Sequence, residues 1–112
     1  MAEKSKISYE EVDDILYVGK EGKVKFSLDV SLSSGDVVID IGFDGLVKGI
    51  EIMNASNFFG IDKKELANVK EGNLGLVYNS SYVSISVILL GVRKQISSNL
   101  VVPYSRKVAL VA

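Results

Sequence analysis

The stretch from Val37 to Met53 constrains this chain most, because two alternating hydrophobic runs flank the pair Asp44-Gly45. An Asp-Gly pair in that setting is a strong hairpin signal: the favoured tight turns need positive φ, which Gly and Asp tolerate best. A two-residue turn there sets Phe43 opposite Leu46, Ile41 opposite Lys48, Ile39 opposite Ile50 and Val37 opposite Ile52. The other face then carries Asp36, Val38, Asp40, Gly42, Val47, Gly49, Glu51 and Met53. A four-residue loop from Gly42 to Gly45 moves each pairing by two residues, and a side-chain period of two leaves the faces unchanged. One face reads as apolar and the other as mixed.

The rest of the chain follows the same period. Short strands are expected around Ile7 and Tyr9 and at Ile15–Val18, separated by the polar turn Glu10–Asp14. A longer strand alternates Val24, Phe26, Leu28 and Val30 with Lys25, Ser27 and Asp29, the pattern of a sheet with one wet face. With the hairpin, these make an antiparallel β-meander of about five strands. Asn57-Phe58-Phe59-Gly60 leaves the sheet. Asp62 as N-cap, Glu65 completing a capping box and Ile61 stapled to Leu66 predict one short helix of two to three turns within residues 57–72, stopped at Gly72. Leu66 and Val69 are expected to face the sheet. Two or three further antiparallel strands occupy residues 73–112: Leu74–Tyr78, Tyr82–Val92 and Ile96–Tyr104. Val83, Ile85, Val87 and Leu89 share one face, and Pro103, lacking an N–H, belongs at an edge or a strand end. The fold class is therefore α+β, in a single domain over residues 1–112 with no repeat or linker. The apolar tail Val108–Ala112 is expected to dock on its own sheet or a neighbour's.

Composition narrows the chemistry. The 112 residues include no Cys and no His. That excludes disulfides, thiolate zinc sites, Cys nucleophiles and the Ser-His-Asp triad. It also excludes the one side chain that titrates near neutrality unperturbed. Thr is absent too, so strand interiors are built from Val, Ile, Tyr and Phe. No run reaches the roughly 18 apolar residues that span a bilayer, and the polar start Met-Ala-Glu-Lys-Ser-Lys is unlike a secretory signal. A cytoplasmic protein with no membrane partner is expected. Charge is uneven: residues 1–56 carry six basic and eleven acidic side chains, and residues 57–112 seven basic and three acidic. The basic residues after Glu71 are scattered, so no nucleic-acid partner is expected.

Several constellations invite chemistry and lose to plainer readings. Asp40-x-Gly42-x-Asp44-Gly45-x5-Glu51 has nearly the spacing of a calcium loop, but such loops join helices, Gly42 removes a ligand and Lys48 brings a cation. No metal or cofactor is assigned, and the alternative metal set would be Asp40, Asp44 and Glu51. Glu10, Glu11, Asp13 and Asp14 read as a solvated acidic turn. Tyr9, Tyr17, Tyr78, Tyr82 and Tyr104 could stack bases, yet Tyr9 and Tyr17 lie among carboxylates, so half-buried tyrosines fit better. No catalytic residue is assigned.

Tyr9, Asp13-Asp14-Ile15-Leu16-Tyr17-Val18, Val37-Val38-Ile39-Asp40, Asp44-Gly45 and Gly49-Ile50-Glu51-Ile52 with Ala55-Ser56 follow one another in an order that resembles domain of unknown function 2283. The resemblance covers residues 7–56. Members have an acidic residue where this chain has Gly42 and Asp where it has Asn54. The resemblance implies the β-meander fold and, from the small toxin-like proteins often encoded beside such domains, an antitoxin-like binding role.

Two function classes are carried forward: a non-catalytic protein-interaction module, and a small-molecule or metal-binding protein using the Asp40/Glu51 face. Two-sided apolar strand between Ile85 and Leu90, together with the apolar tail, points to a homodimer formed by sheet packing or edge pairing. A small protein partner is the other expectation.

Overall fold

The computed structural model describes residues 5–91 and 94–103. Its first sheet contains β1 (Lys6–Glu10), β2 (Ile15–Gly19), β3 (Val24–Leu32), β4 (Gly35–Gly42) and β5 (Val47–Ile52), all antiparallel. Two short helices follow, α1 (Ala55–Phe59) and α2 (Lys63–Ala67). A second antiparallel sheet contains β6 (Glu71–Tyr78), β7 (Tyr82–Leu90) and β8 (Gln95–Pro103). The α+β class stands as expected. Within the first sheet the spatial order is β1-β2-β5-β4-β3. The sheet is antiparallel as expected, but only β1–β2 and β3–β4–β5 run as meanders rather than all five strands: β5 pairs back onto β2 and lies in the middle of the sheet.

The expected single helix is two helices for a local reason. Gly60 at φ +68° ends α1 in the left-handed region, and Asp62 is extended (φ −71°, ψ 152°) before α2 begins. Asp62 makes no side-chain capping bond; Glu65, expected to complete its box, instead pairs with Lys94 at 2.9 Å. Gly72 belongs to β6, buried against Ile7, and α2 stops at Asn68. Leu66 does face inward and is 1% exposed.

The hairpin also has its own geometry. Ile39 opposes Ile50 and Val37 opposes Ile52 as expected, but Ile41 opposes Val47. The turn is a three-residue loop, Phe43-Asp44-Gly45. The Gly45 amide donates to Gly42 O at 3.0 Å, Gly45 takes φ +80°, and the Gly42 amide donates to Leu46 O at 2.9 Å. A type I turn followed by a left-handed Gly shifts the register by one residue, and a bulge beside Asp40 leaves Lys48 without an opposite number and restores it. The bulge exchanges two side chains. Val47 becomes buried, while Lys48 reaches the outer face and pairs with Asp44 at 2.9 Å. Burying an unpaired ammonium costs far more than a bulge, so the exchange is the favourable solution. Phe43 and Leu46, expected on the apolar face, stand at the exposed tip.

One hydrophobic cluster joins the two sheets. Leu16, Val18, Val37, Ile39, Ile41, Val47, Ile50 and Ile52 from the first meet Leu74, Val83, Ile85, Val87, Leu89, Leu100 and Val102 from the second, with Ala55 and Leu66 from the helices. The sheets touch where β6 lies beside β1 and β2, and α1 reaches β8 while α2 reaches β1. At the hairpin end, the Val47 amide donates to the Tyr78 hydroxyl at 2.9 Å. Among the described residues no helix is long and apolar enough to cross a membrane. Pro103, which lacks an N–H, is the last described residue of β8, an edge strand among the described residues. Tyr104 and the tail Val108–Ala112 lie outside the described residues.

Candidate functional site

The acidic turn between β1 and β2 contains the one buried charged residue among those described, Asp14, 6% exposed. Its backbone is left-handed (φ 56°), a conformation Asp adopts more readily than most residues. One carboxylate oxygen accepts from the Tyr9 hydroxyl at 2.6 Å and the Ser56 amide at 3.0 Å. The other accepts from the Ser56 hydroxyl at 2.6 Å. The Asp14 carbonyl takes the Ala55 amide at 2.9 Å. Asp14 thus takes two of the free amide donors of the first turn of α1, Ala55 and Ser56, a cap supplied from 42 residues away. Burial works to raise its pKa, but hydrogen bonds from Ser56 and Tyr9 and the charge of Lys63 outweigh it and hold the carboxyl below its ordinary value. Burial and the neighbouring Asp14 push the Tyr9 phenol well above its usual range. The expectation of a solvated acidic turn therefore fails for Asp14, which is a structural fastener between turn and helix. No local pattern marked it, because Tyr9 and Ser56 lie five and 42 residues away.

The outer face of the first sheet holds the candidate metal residues. Asp40 opposes Gly49, and Glu51 lies between Val38 and Tyr17. Asp40 accepts from Ser27 Oγ at 2.6 Å and lies 3.4 Å from the Tyr17 hydroxyl. The Tyr17 ring covers Gly19 and Gly49, where any Cβ would collide with it. Its phenol is raised mainly by burial, then by Asp40. Asp44 is occupied in its own turn by Lys48 and by the Leu46 amide at 3.0 Å. Asp40 and Glu51 share a face as expected, Asp44 does not join them, and among the described residues no group of three or more acidic side chains is placed to hold a metal ion. Beside this face Lys6, Tyr17, Lys20 and Lys23 line a shallow groove of about 470 Å³.

The outer face of the second sheet is different in kind. Val83, Ile85, Val87 and Leu89 point into the core as expected, so the alternate residues form the other side. Val77, Ser84 and Val101 form one row across three strands, with Val77 65% and Val101 54% exposed. The next row is Gly75, Ser86 and Asn99, where Ser86 Oγ donates to Asn99 Oδ1 at 2.6 Å. Tyr82 and Pro103 lie at one end and Ile88 and Leu90 towards the other. Among the described residues Glu71, at a corner, is its one charged residue. The tyrosines are thus dispersed. Tyr9 fastens Asp14, Tyr17 covers glycines, Tyr78 meets the hairpin and Tyr82 borders this neutral face.

The pairing of Tyr9 and Asp14 with Ser56, around a β2–β5–β4 centre, accounts for the residues through which the chain resembles a known family. Residues 6–56 match the family Protein of unknown function (DUF2283). The DUF2283 segment covers the first sheet and the start of α1 and ends at Ser56, the residue that closes on Asp14. The chain is also 47% identical, over 64 residues, to an uncharacterised protein of Methanocaldococcus jannaschii, covering 56% of this chain and 52% of that protein. It is 37% identical, over 60 residues, to a Methanosarcina mazei protein named "Putative hypoxanthine phosphoribosyltransferase", covering 54% of this chain and 46% of that protein. The chain spans about half the length of the curated relatives it matches. No solved structure matches it.

Proposed function

We propose that this protein is a non-catalytic protein-interaction module that binds a small protein partner on the outer face of the second sheet. The observation that carries the reading is the neutral row Val77–Ser84–Val101, flanked by Tyr82 and Pro103, with both valines more than half exposed. Interface cores are depleted in charge, and among its described residues this face carries one charge, Glu71 at a corner. Two exposed valines on β6 and β8, either side of Ser84, leave apolar area in water that a partner would remove, at about 25 cal/mol per Å². An antitoxin-like role, implied by the resemblance in residues 7–56, gives the partner's class: a small toxin-like protein. The chain covers 46% of the relative named as a phosphoribosyltransferase, so that activity is not carried to it.

The test is affinity purification of the tagged protein from its native host, beside the variant V77E/V101E. Both positions are exposed, so the variant folds normally. A stoichiometric partner recovered with the wild type and lost from the variant supports the reading. A partner retained by the variant, or none with either protein, overturns it.

A further inference from the structure

The longest strand at an edge of the first sheet is β3. It pairs only with β4, which leaves its far edge without a strand partner among the described residues. Its inner face is only partly covered. Phe26, Leu28, Val30 and Leu32 are half-buried, whereas the inward residues of neighbouring β4, Val37, Ile39 and Ile41, are buried. Val24 is 42% exposed. The core thus runs out at β3. An open edge with an apolar row beneath it is a template for another strand.

The charges on β3 select the occupant. On its exposed side the strand carries Lys25, Ser27, Asp29 and Ser31. Neither Lys25 nor Asp29 forms an ion pair with any described residue. In antiparallel pairing directly opposite residues share a face, so the apolar row survives only in registers that set odd-numbered residues opposite odd-numbered ones. A two-fold axis at Asp29 would oppose the two Asp29 carboxylates, and one at Leu28 would leave Lys25 facing Ser31. An axis at Ser27 sets Lys25 opposite the second copy's Asp29, and by symmetry does so twice. It also sets Phe26 opposite Leu28, twice, on the apolar side, while Val24 lies beyond the bulge, opposite Gly42 in the β3–β4 ladder. The bulge at Lys25 in the β3–β4 ladder bends the strand at the end of this segment. The strand is its own complement in sign and in side-chain class.

We propose that two copies of this chain associate through antiparallel pairing of β3 with β3 about a two-fold axis at Ser27, joining the two first sheets into one ten-stranded sheet. Each copy supplies both halves of the contact, as an isologous interface requires. Among the other edge strands, β8 carries no charge in its described residues to set a register, and its Pro103 cannot donate. This inference uses a surface separate from the neutral face of the second sheet, and either can fail without the other.

Sedimentation of the full chain over a micromolar concentration range, for wild type, K25E, D29K and the exchange K25E/D29K, tests it. The proposal expects a wild-type dimer. K25E and D29K, each creating two like-charged pairs, should weaken it about tenfold or more, and the exchange should restore it. All three changes lie on exposed positions, and circular dichroism confirms folding independently. A wild-type monomer overturns the proposal. A dimer indifferent to K25E, or one that K25E/D29K fails to restore, overturns this register.

Discussion

At the residue scale, the stability of the first sheet depends on Asp14. Its folded-state pKa lies below the ordinary carboxylate value of about 3.9. The unfolded chain therefore binds the proton first as pH falls. The stabilisation is fully present above the ordinary value and is lost as pH drops through the lower, folded-state value. Asp14→Asn removes the charge that three donors converge on and should cost about 2 kcal/mol at neutral pH. Urea titrations across the acid range should then show wild type losing more stability than the variant. Equal acid slopes would contradict this role for Asp14. Ser56→Ala deletes one of the donors and should cost about 1 kcal/mol by the same measurement. The neighbouring Gly49 serves Tyr17: Gly49→Ala forces the ring off its seat, which should appear as a higher Tyr17 fluorescence or near-ultraviolet signal change with little loss of secondary structure.

At the element scale, the second sheet separates an inner from an outer face along β7. Ile85→Ala, at a site with no exposure, should cost about 3 kcal/mol, and Ile88→Ala on the outer side well under half of that. Thermal or chemical denaturation distinguishes the two. Gly45→Ala places a Cβ at φ +80° and should cost about 1 kcal/mol without altering the sheet. These elements show how far a period of two carries. It gave the inward set Val83, Ile85, Val87 and Leu89, the facing of Ile39 with Ile50 and the strand order along the chain. It could not give the bulge at Lys48, because a bulge is decided by the cost of burying that ammonium against the gain of burying Val47, a tertiary balance with no local signature. Nor did capping signals decide the helices: Asp62 and Glu65 are correctly spaced for a box, yet Glu65 pairs with Lys94 from another part of the fold. Asp14 was legible only as one of several acids in a turn, since its partners lie five and 42 residues away.

At the scale of the whole molecule, the two sheets share one core and divide their outer surfaces by character. The first sheet presents carboxylates, lysines and Tyr17, with Asp40 taking Ser27 and Tyr17, and Lys48 pairing with Asp44. The second presents neutral residues with two exposed valines. The acids singled out by their spacing are engaged apart: Asp44 is held by Lys48 while Asp40 takes Ser27. Binding needs area and complementarity, which the neutral face and the β3 edge both offer. On the proposed reading, the uneven charge of the chain is a background to the two proposed association surfaces rather than a site.

The most direct measurement is the mass, under non-denaturing conditions, of the assembly recovered from the native host with the wild-type chain and with Val77→Glu. The account predicts two copies of the chain with a stoichiometric protein partner for the wild type, and two copies alone for the variant. The same partner held by Val77→Glu, or the bare chain from both preparations, would contradict it.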